Sequence, residues 1–316
     1  MRIYGPVPSR RFGLSLGVDL VPHKTCPYDC VYCQLGPTTC LTAQRRDFFA
    51  VGEVLRDVEE ALEDGPRPDV ITLAGSGEPT LYRSLPRLFA GIRDITDVPI
   101  LLITNGALLF DEDLAEAVRG ADILAPSLDA GDEETFARVN RPHADVPFER
   151  MVEGLARAVD GHPGQVRLEV MLVRDLNDSQ ESVEAIARRV AGMRADAIEL
   201  NTPVRPPVPE RGALPCTAET LERALRVFGP KTRAIGRFEA RKADKTAPRP
   251  FDDVDKTVRE TLVRRPCTLE DLVSSLGLAP AEARCSVDRL LSAGLVEARA
   301  GASGTYFCVP HPNPTL

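Results

Sequence analysis

Residues 25–36 read TCPYDCVYCQLG. Cys26, Cys30 and Cys33 stand in a C-x3-C-x2-C spacing within this one loop. Thiolates are soft ligands that suit iron–sulfur clusters or zinc. A structural zinc is closed by four protein ligands, and the loop offers three, with Cys40 the nearest further thiol. Three thiolates on a four-iron cluster would instead leave one iron open to chelate a small molecule. Taken alone, the loop fits both arrangements.

Working outward, the loop follows an apolar run, LSLGVDL (14–20), and precedes five more: DVITLAG (69–75), PILLIT (99–104), DILAPSL (122–128), VRLEVMLV (166–173) and DAIELN (196–201). Such nearly continuous apolar runs mark strands buried on both faces of a parallel sheet. Between them lie stretches of helical period. Their apolar faces are Val51, Val54, Leu55, Val58 and Leu62; Leu85, Leu88, Phe89 and Ile92; Val183, Ile186, Ala187 and Val190; and Leu221, Ala224, Leu225 and Phe228. Strands each followed by a helix make right-handed βα repeats. Six units fall short of the eight that close a full barrel. The expectation is an α/β fold, a partial (β/α)6 barrel, with a doubly wound sheet as the alternative.

Polar residues collect where these strands end. Residues 73–80 read LAGSGEPT, in which Gly75 and Gly77 permit close backbone approach and Glu78 precedes Pro79. Thr104-Asn105-Gly106 ends the third strand, Ser127 and Asp129 the fourth, and Asn201 the sixth. Each also has a plainer role: a helix-start acid for Glu78, a turn for Asn105-Gly106, helix capping before Glu133 for Ser127 and Asp129. Their shared position at strand C-termini is where barrel active sites form.

The loop and these motifs together resemble the radical S-adenosylmethionine (SAM) superfamily. The segments at 5–39 (GPVPSRRFGLSLGVDLVPHKTCPYDCVYCQLGPTT), 76–82 (SGEPTLY), 102–109 (LITNGALL) and 200–207 (LNTPVRPP) are similar to its subgroup of iron–sulfur oxidoreductases related to wyosine synthases, which modify transfer RNA. The resemblance covers about residues 1–228. It implies a 4Fe-4S cluster held by Cys26, Cys30 and Cys33, with Tyr32 as the aromatic before the third cysteine. It also implies that the open iron binds the amino and carboxylate groups of S-adenosyl-L-methionine. One electron, from a donor such as flavodoxin or ferredoxin, then cleaves the sulfonium to a 5′-deoxyadenosyl radical that abstracts hydrogen from substrate. Gly77, Glu78 and Pro79 match the superfamily's glycine-glutamate motif, which contacts the amino group. Ser127 and Asp129 fall where it holds the ribose or carboxylate, Asn201 falls near the adenine, and Asn105, at the end of the third strand, is a further cofactor-binding candidate. The resemblance names no residue that performs the hydrogen abstraction.

Beyond the barrel, residues 229–250 carry seven Lys/Arg against two Asp/Glu and read as a basic linker, with a short strand expected around residues 236–240. Residues 251–316 read as a winged helix-turn-helix domain. Val254, Val258, Leu262 and Val263 mark one helix; Thr268 and Asp271 cap a second that ends at Gly277; Ala281 to Ser292 form a third; and a hairpin turns around residues 301–304.

Composition narrows the function classes. The 316 residues are 43% apolar and carry a net charge of −8, which disfavours disorder and non-specific nucleic-acid binding by the whole surface. The sequence lacks both a membrane-spanning apolar run and a signal-peptide core, so the expectation is a cytoplasmic protein without membrane contact. Eight cysteines in such a compartment bind metal or do chemistry rather than build a disulfide scaffold. Three functions follow. The first is a radical enzyme acting on RNA docked by the C-terminal domain, favoured by the basic linker. The second is a peptide- or protein-modifying radical enzyme, favoured by the C-terminal domain's seven Lys/Arg against nine Asp/Glu. The third is a cluster-bearing winged-helix regulator that responds to redox state or SAM.

Overall fold

The computed structural model describes residues 2–9, 11–203, 212–235, 254–264, 266–301 and 304–310. β1 (Ile3–Ser9) and β2 (Gly13–Val18) form an antiparallel hairpin. They are followed by α1 (Val51–Asp64), β3 (Val70–Leu73), α2 (Leu85–Ile95), β4 (Ile100–Thr104), α3 (Glu112–Ala117), β5 (Ile123–Pro126), α4 (Glu133–Val139), α5 (Phe148–Gly161), β6 (Gln165–Met171), α6 (Gln180–Ala191), β7 (Ala197–Asn201), α7 (Ala218–Phe228) and β8 (Thr232–Ala234). The sheet runs β1 to β8 in chain order, and every pair except β1–β2 is parallel.

All six expected strands are present, and one strand extends the sheet at each edge. The sequential order has no reversal point, which sets aside the doubly wound alternative. Alternate strand residues explain the layering. Leu16, Ile71, Leu73, Leu102, Leu124, Leu168 and Leu200 are fully buried against helix residues such as Val58, Leu88, Leu155 and Ile186. On the other face Phe12, from the β1–β2 turn, packs with Val70, Leu101 and Ala125.

A single ion-pair group reveals the curvature. Arg11, just before β2, reaches Glu169 on β6 and, at 2.9 Å, Glu199 on β7. In a flat sheet four to five strand spacings of ~4.8 Å would separate them by roughly 20 Å, beyond the reach of one side chain. The sheet is therefore curled, with Arg11 crossing its concave side. Glu199 is fully buried and also accepts hydrogen bonds from Arg167 Nε at 2.9 Å and Arg233 Nε at 3.0 Å. Burial works against the charge of Arg11, but Glu169 and Glu199 outweigh it and hold its pKa above the ordinary value.

β8 lies inside the stretch expected as a linker. Its register is fixed by hydrogen bonds from Ile198 N to Lys231 O (3.1 Å) and from Ile235 N to Leu200 O (2.8 Å). The strand expected around residues 236–240 lies outside the described residues.

Helix starts follow the capping residues. Asp132, Ser179 and Thr217 accept hydrogen bonds from Thr135 N, Ser182 N and Thr220 N at α4, α6 and α7, each worth about 1 kcal/mol. The cap before Glu133 is thus Asp132, and neither Ser127 nor Asp129 performs it.

His162 ends α5 with both ring nitrogens buried and, among the described residues, without hydrogen-bond partners. Burial and then Arg119 push its pKa below the ordinary value, against the pull of Asp122 and Asp196. The unfolded chain therefore takes up this proton first. Stability contributed by neutral His162 is complete above about pH 6.5 and is lost as the pH falls below it. Replacing His162 with Phe should flatten this acid-side loss in urea unfolding measured between pH 7.5 and 5. An unchanged pH slope would show that His162 does not set it.

The C-terminal segment contains α8 (Val254–Arg264), α9 (Leu269–Leu276) and α10 (Pro280–Ser292), with β9 (Glu297–Gly301) pairing antiparallel to β10 (Gly304–Cys308). A two-residue strand, Cys267–Thr268, adds to β10. The capping box is present: Thr268 Oγ1 accepts from Asp271 N at 3.0 Å, and Asp271 Oδ2 accepts from Thr268 N at 2.9 Å. Gly277 closes α9 in the left-handed conformation that favours glycine, φ 64°. Val258, Leu262, Leu272, Val287, Leu290 and Phe307 form a core of their own. α8 and α9 lie against β1, at an edge where an unpaired strand would otherwise invite association.

Candidate metal centre

The loop that leaves β2 is held at the C-terminal ends of β3 and β4. Lys24 N donates to Ser76 O at 2.6 Å, Glu78 N to Thr25 O at 3.1 Å, and Thr42 N to Cys26 O at 3.1 Å. Gly77 is required by this approach: a Cβ there would sit 2.1 Å from Thr25 O and 2.7 Å from Val21 Cγ2. The far side of the loop is tied to the end of α4, where Asp29 N meets Asn140 O at 3.0 Å and Val31 N meets Val139 O at 2.9 Å.

Each of the three sulfurs meets a donor from a different part of the chain. Cys26 Sγ accepts from Asn105 Nδ2 at 3.3 Å and from Tyr28 N at 3.4 Å. Cys30 Sγ accepts from Asn140 Nδ2 at 3.6 Å. Cys33 Sγ accepts from Lys24 Nζ at 3.0 Å. Burial pushes the Cys30 thiol up to about 12, helped by Asp129 and Cys33. Burial also raises Cys26, with Glu78 and Cys30 adding to it. Buried, mutually coupled thiols of this kind ionise when a cation compensates them. Cys40 is exposed, on the strand pairing with Thr25–Cys26. The donor set fits a four-iron cluster better than a closed zinc site.

Two buried carboxylates organise the surroundings. Glu78 accepts at Oε1 from Thr80 N (3.1 Å), Thr80 Oγ1 (2.6 Å) and Thr104 Oγ1 (2.6 Å), and at Oε2 from Asn105 N (2.8 Å). Burial raises its pKa against these four donors. It caps the short 3-10 turn Pro79–Leu81, so the helix-start role is real, but it also fixes the strand end that carries Asn105. Asp129 accepts from Tyr32 Oη, from Asn140 Nδ2 at 2.8 Å and from Met171 N at 2.8 Å. Burial lifts it to about 6 while these donors pull it down.

The expected site residues fall into three groups. Glu78 and Asn105 stand by Cys26, with Pro79 opening the 3-10 turn that Glu78 caps, and Tyr32 and Asp129 stand beside Cys30. Ser127 and Asn201 meet instead at Glu169, Ser127 through a backbone bridge and Asn201 through Nδ2 at 3.1 Å. Asn177 is wholly buried. It ties Val173 N, Asp129 O and Met171 O together at 2.6, 2.8 and 2.8 Å. Lys24, Asn140 and Glu169 were not anticipated. A basic residue two places before Cys26 and an asparagine at a helix end carry no signal until the fold brings them to the sulfurs.

A curled parallel sheet with a three-thiol loop at its strand ends defines a metal-dependent α/β enzyme. The chain belongs to the radical SAM superfamily, whose family model matches residues 20–189. "UPF0026 protein MJ1312" of Methanocaldococcus jannaschii is 34% identical over 243 residues, covering 75% of each chain. "GTPase Obg" of Brachyspira hyodysenteriae is 40% identical over 227 residues, 72% of this chain but 33% of that protein; the chain thus spans about a third of its length. Among solved structures, a radical SAM methyltransferase from Sphaerobacter thermophilus aligns with TM-score 0.54 and 20% identity over 70% of this chain and 65% of that one. TYW1 with a lysine-pyruvate adduct bound aligns with TM-score 0.50 and 15% identity over 71% and 75%. At these identities the two structures share the fold. The superfamily uses a 4Fe-4S cluster and SAM with an electron donor, and the chain is a radical SAM enzyme. No helix among the described residues is long and apolar enough to cross a membrane.

Proposed function

We propose that Cys26, Cys30 and Cys33 hold three irons of the 4Fe-4S cluster, and that the ends of β3 to β7 hold SAM in a partial (β/α) barrel. The observation that carries this is the arrival of a separate donor at each sulfur: Asn105 at Cys26, Asn140 at Cys30 and Lys24 at Cys33. When bound, cluster and SAM supply one-electron cleavage of the sulfonium and a radical that takes hydrogen from substrate. The chain's own residues bind and orient. Asn105 and Asn140 fix sulfur lone pairs. Glu78 Oε2, with one donor, keeps acceptor capacity for the methionine ammonium. Asp129 holds Tyr32 and Asn140 on the Cys30 side, and Ser127 and Asn201 flank Glu169 where ribose and adenine would lie. Anaerobic reconstitution with dithionite and SAM should yield 5′-deoxyadenosine. An intact cluster that yields none would overturn the assignment.

For the substrate we favour RNA, of the kind met in transfer-RNA modification, drawn by the basic stretch 229–250. A flavodoxin- or ferredoxin-type protein would supply the electron. Residues 251–316 read as a separate winged-helix docking domain after a barrel of residues 1–228 and the basic stretch 229–250. Binding to bulk transfer RNA should weaken steeply between 50 and 200 mM salt, by about ten- to a hundredfold if two to four phosphates are contacted. The absence of salt-sensitive affinity would favour a second reading, a protein or peptide substrate. One observation already supports that second reading: the solvent face of α10 carries Glu282 and Asp288 against Arg284 and Arg289, and Arg289 pairs with Asp255 at 2.7 Å. A helix that reads nucleic acid carries a surplus of positive charge.

A further inference from the structure

We infer that Lys24 is a positioning residue that raises the reduction potential of the cluster by presenting a cation to Cys33. The inference rests on the three-cysteine assignment above. Lys24 is 4% exposed, and its Nζ lies 3.0 Å from Cys33 Sγ. Lysine is almost never buried without a counter-charge. Among the described residues no carboxylate comes within salt-bridge distance of this ammonium, so the sulfur of Cys33 is its one partner there. The other two sulfurs accept from neutral donors: an asparagine amide and a backbone N–H at Cys26, and an asparagine amide and the Tyr32 hydroxyl at Cys30. A charged donor thus hydrogen-bonds to Cys33, while its charge acts on Cys26 only as the smallest of several influences.

The backbone of Lys24 bears out that the position is held for its side chain. Its φ is 56°, in the left-handed region where a non-glycine residue costs of order 1 kcal/mol or more. The conformation is locked from both sides: Lys24 N donates to Ser76 O at 2.6 Å, and Lys24 O accepts from Thr39 N at 3.2 Å and Cys40 N at 3.1 Å. Glycine or asparagine would meet this backbone at lower cost, but neither could place a cation against Cys33.

Reduction adds one negative charge to the cluster. In a buried site that charge is stabilised by a nearby ammonium far more than it would be in water. Hydrogen bonds to cluster sulfurs and local charge are the protein's means of setting such potentials. Lys24 therefore makes the cluster easier to reduce, before SAM is present.

The test is an EPR-monitored redox titration of the reconstituted full-length enzyme without SAM. Lys24→Met preserves side-chain length and the same backbone preference. It should keep its iron and sulfide content while the ratio of reduced to oxidised cluster at a fixed potential falls about tenfold, equivalent to ~59 mV for one electron. Lys24→Arg should restore most of the ratio. Lys24→Gln, which keeps an N–H donor but no charge, should match Met, and the Arg–Gln pair carries the comparison if the Met variant holds no cluster. An unchanged ratio, or an equal fall in Arg and Gln, would overturn the inference. So would an effect that arises only when SAM is added, because the ammonium would then serve SAM. Failure of the underlying assignment is separately visible: Cys33→Ala would retain the cluster.

Discussion

Replacing Cys30 with Ala should abolish stable cluster binding and lower 5′-deoxyadenosine formation at least about a hundredfold, beyond the 10- to 100-fold typical of losing an outer-shell partner. Cys30 is the middle of the three thiols and interacts with both Cys26 and Cys33. Its sulfur is held by Asn140, which is in turn held by Asp129 at 2.8 Å. The exposed Cys40 offers no ready replacement, because its strand is fixed in register against Thr25. Folding should survive, since Cys30 packs at the margin of a core built mainly by the sheet and its helices. Iron and sulfide analysis with product quantification checks this. A variant that keeps both cluster and turnover would move the ligand set elsewhere.

Replacing Glu199 with Ala should cost about 3–5 kcal/mol of stability, the range found when one partner of a buried ion pair is removed. Glu199 is fully buried, and Arg11, Arg167 and Arg233 all converge on it. Arg11 and Arg167 are themselves mostly buried and would be left short of counter-charge, while the half-exposed Arg233 recovers water and adds little. Arg11 also joins the first parallel strand to the far side of the sheet, so the curl itself depends on this carboxylate. Glu199→Gln keeps shape and an acceptor and should cost less. Urea unfolding of the two variants checks the prediction, and a loss under 1 kcal/mol for Ala would contradict it.

The parallel strands were legible because both their faces are buried, which writes continuous apolar runs at 69–75, 99–104 and 166–173. The edge strands were not. β1 contains Gly5, Pro6 and Pro8, residues that read as loop, and pairs with β2 through a register shift between Tyr4 and Val7. β8 is three residues long in a charged stretch and exists through its pairing with β7. At the site, cysteine spacing and strand-end position singled out the loop and Glu78, Asn105 and Asp129, which the fold brings near one another. The wiring between them was not readable, because Glu78 meets Thr104 and Asn105 across 26 and 27 residues and Asp129 meets Tyr32 across 97. Lys24 and Asn140 acquire meaning through those same tertiary contacts.

The most direct test of the cluster and its open iron is the EPR spectrum of the dithionite-reduced, reconstituted enzyme before and after addition of SAM labelled at its amino nitrogen and carboxylate oxygens. A three-thiolate 4Fe-4S cluster should give a reduced signal that shifts on SAM addition and shows coupling to the labelled atoms. A signal indifferent to SAM, or a protein that binds zinc in place of the cluster, would contradict it.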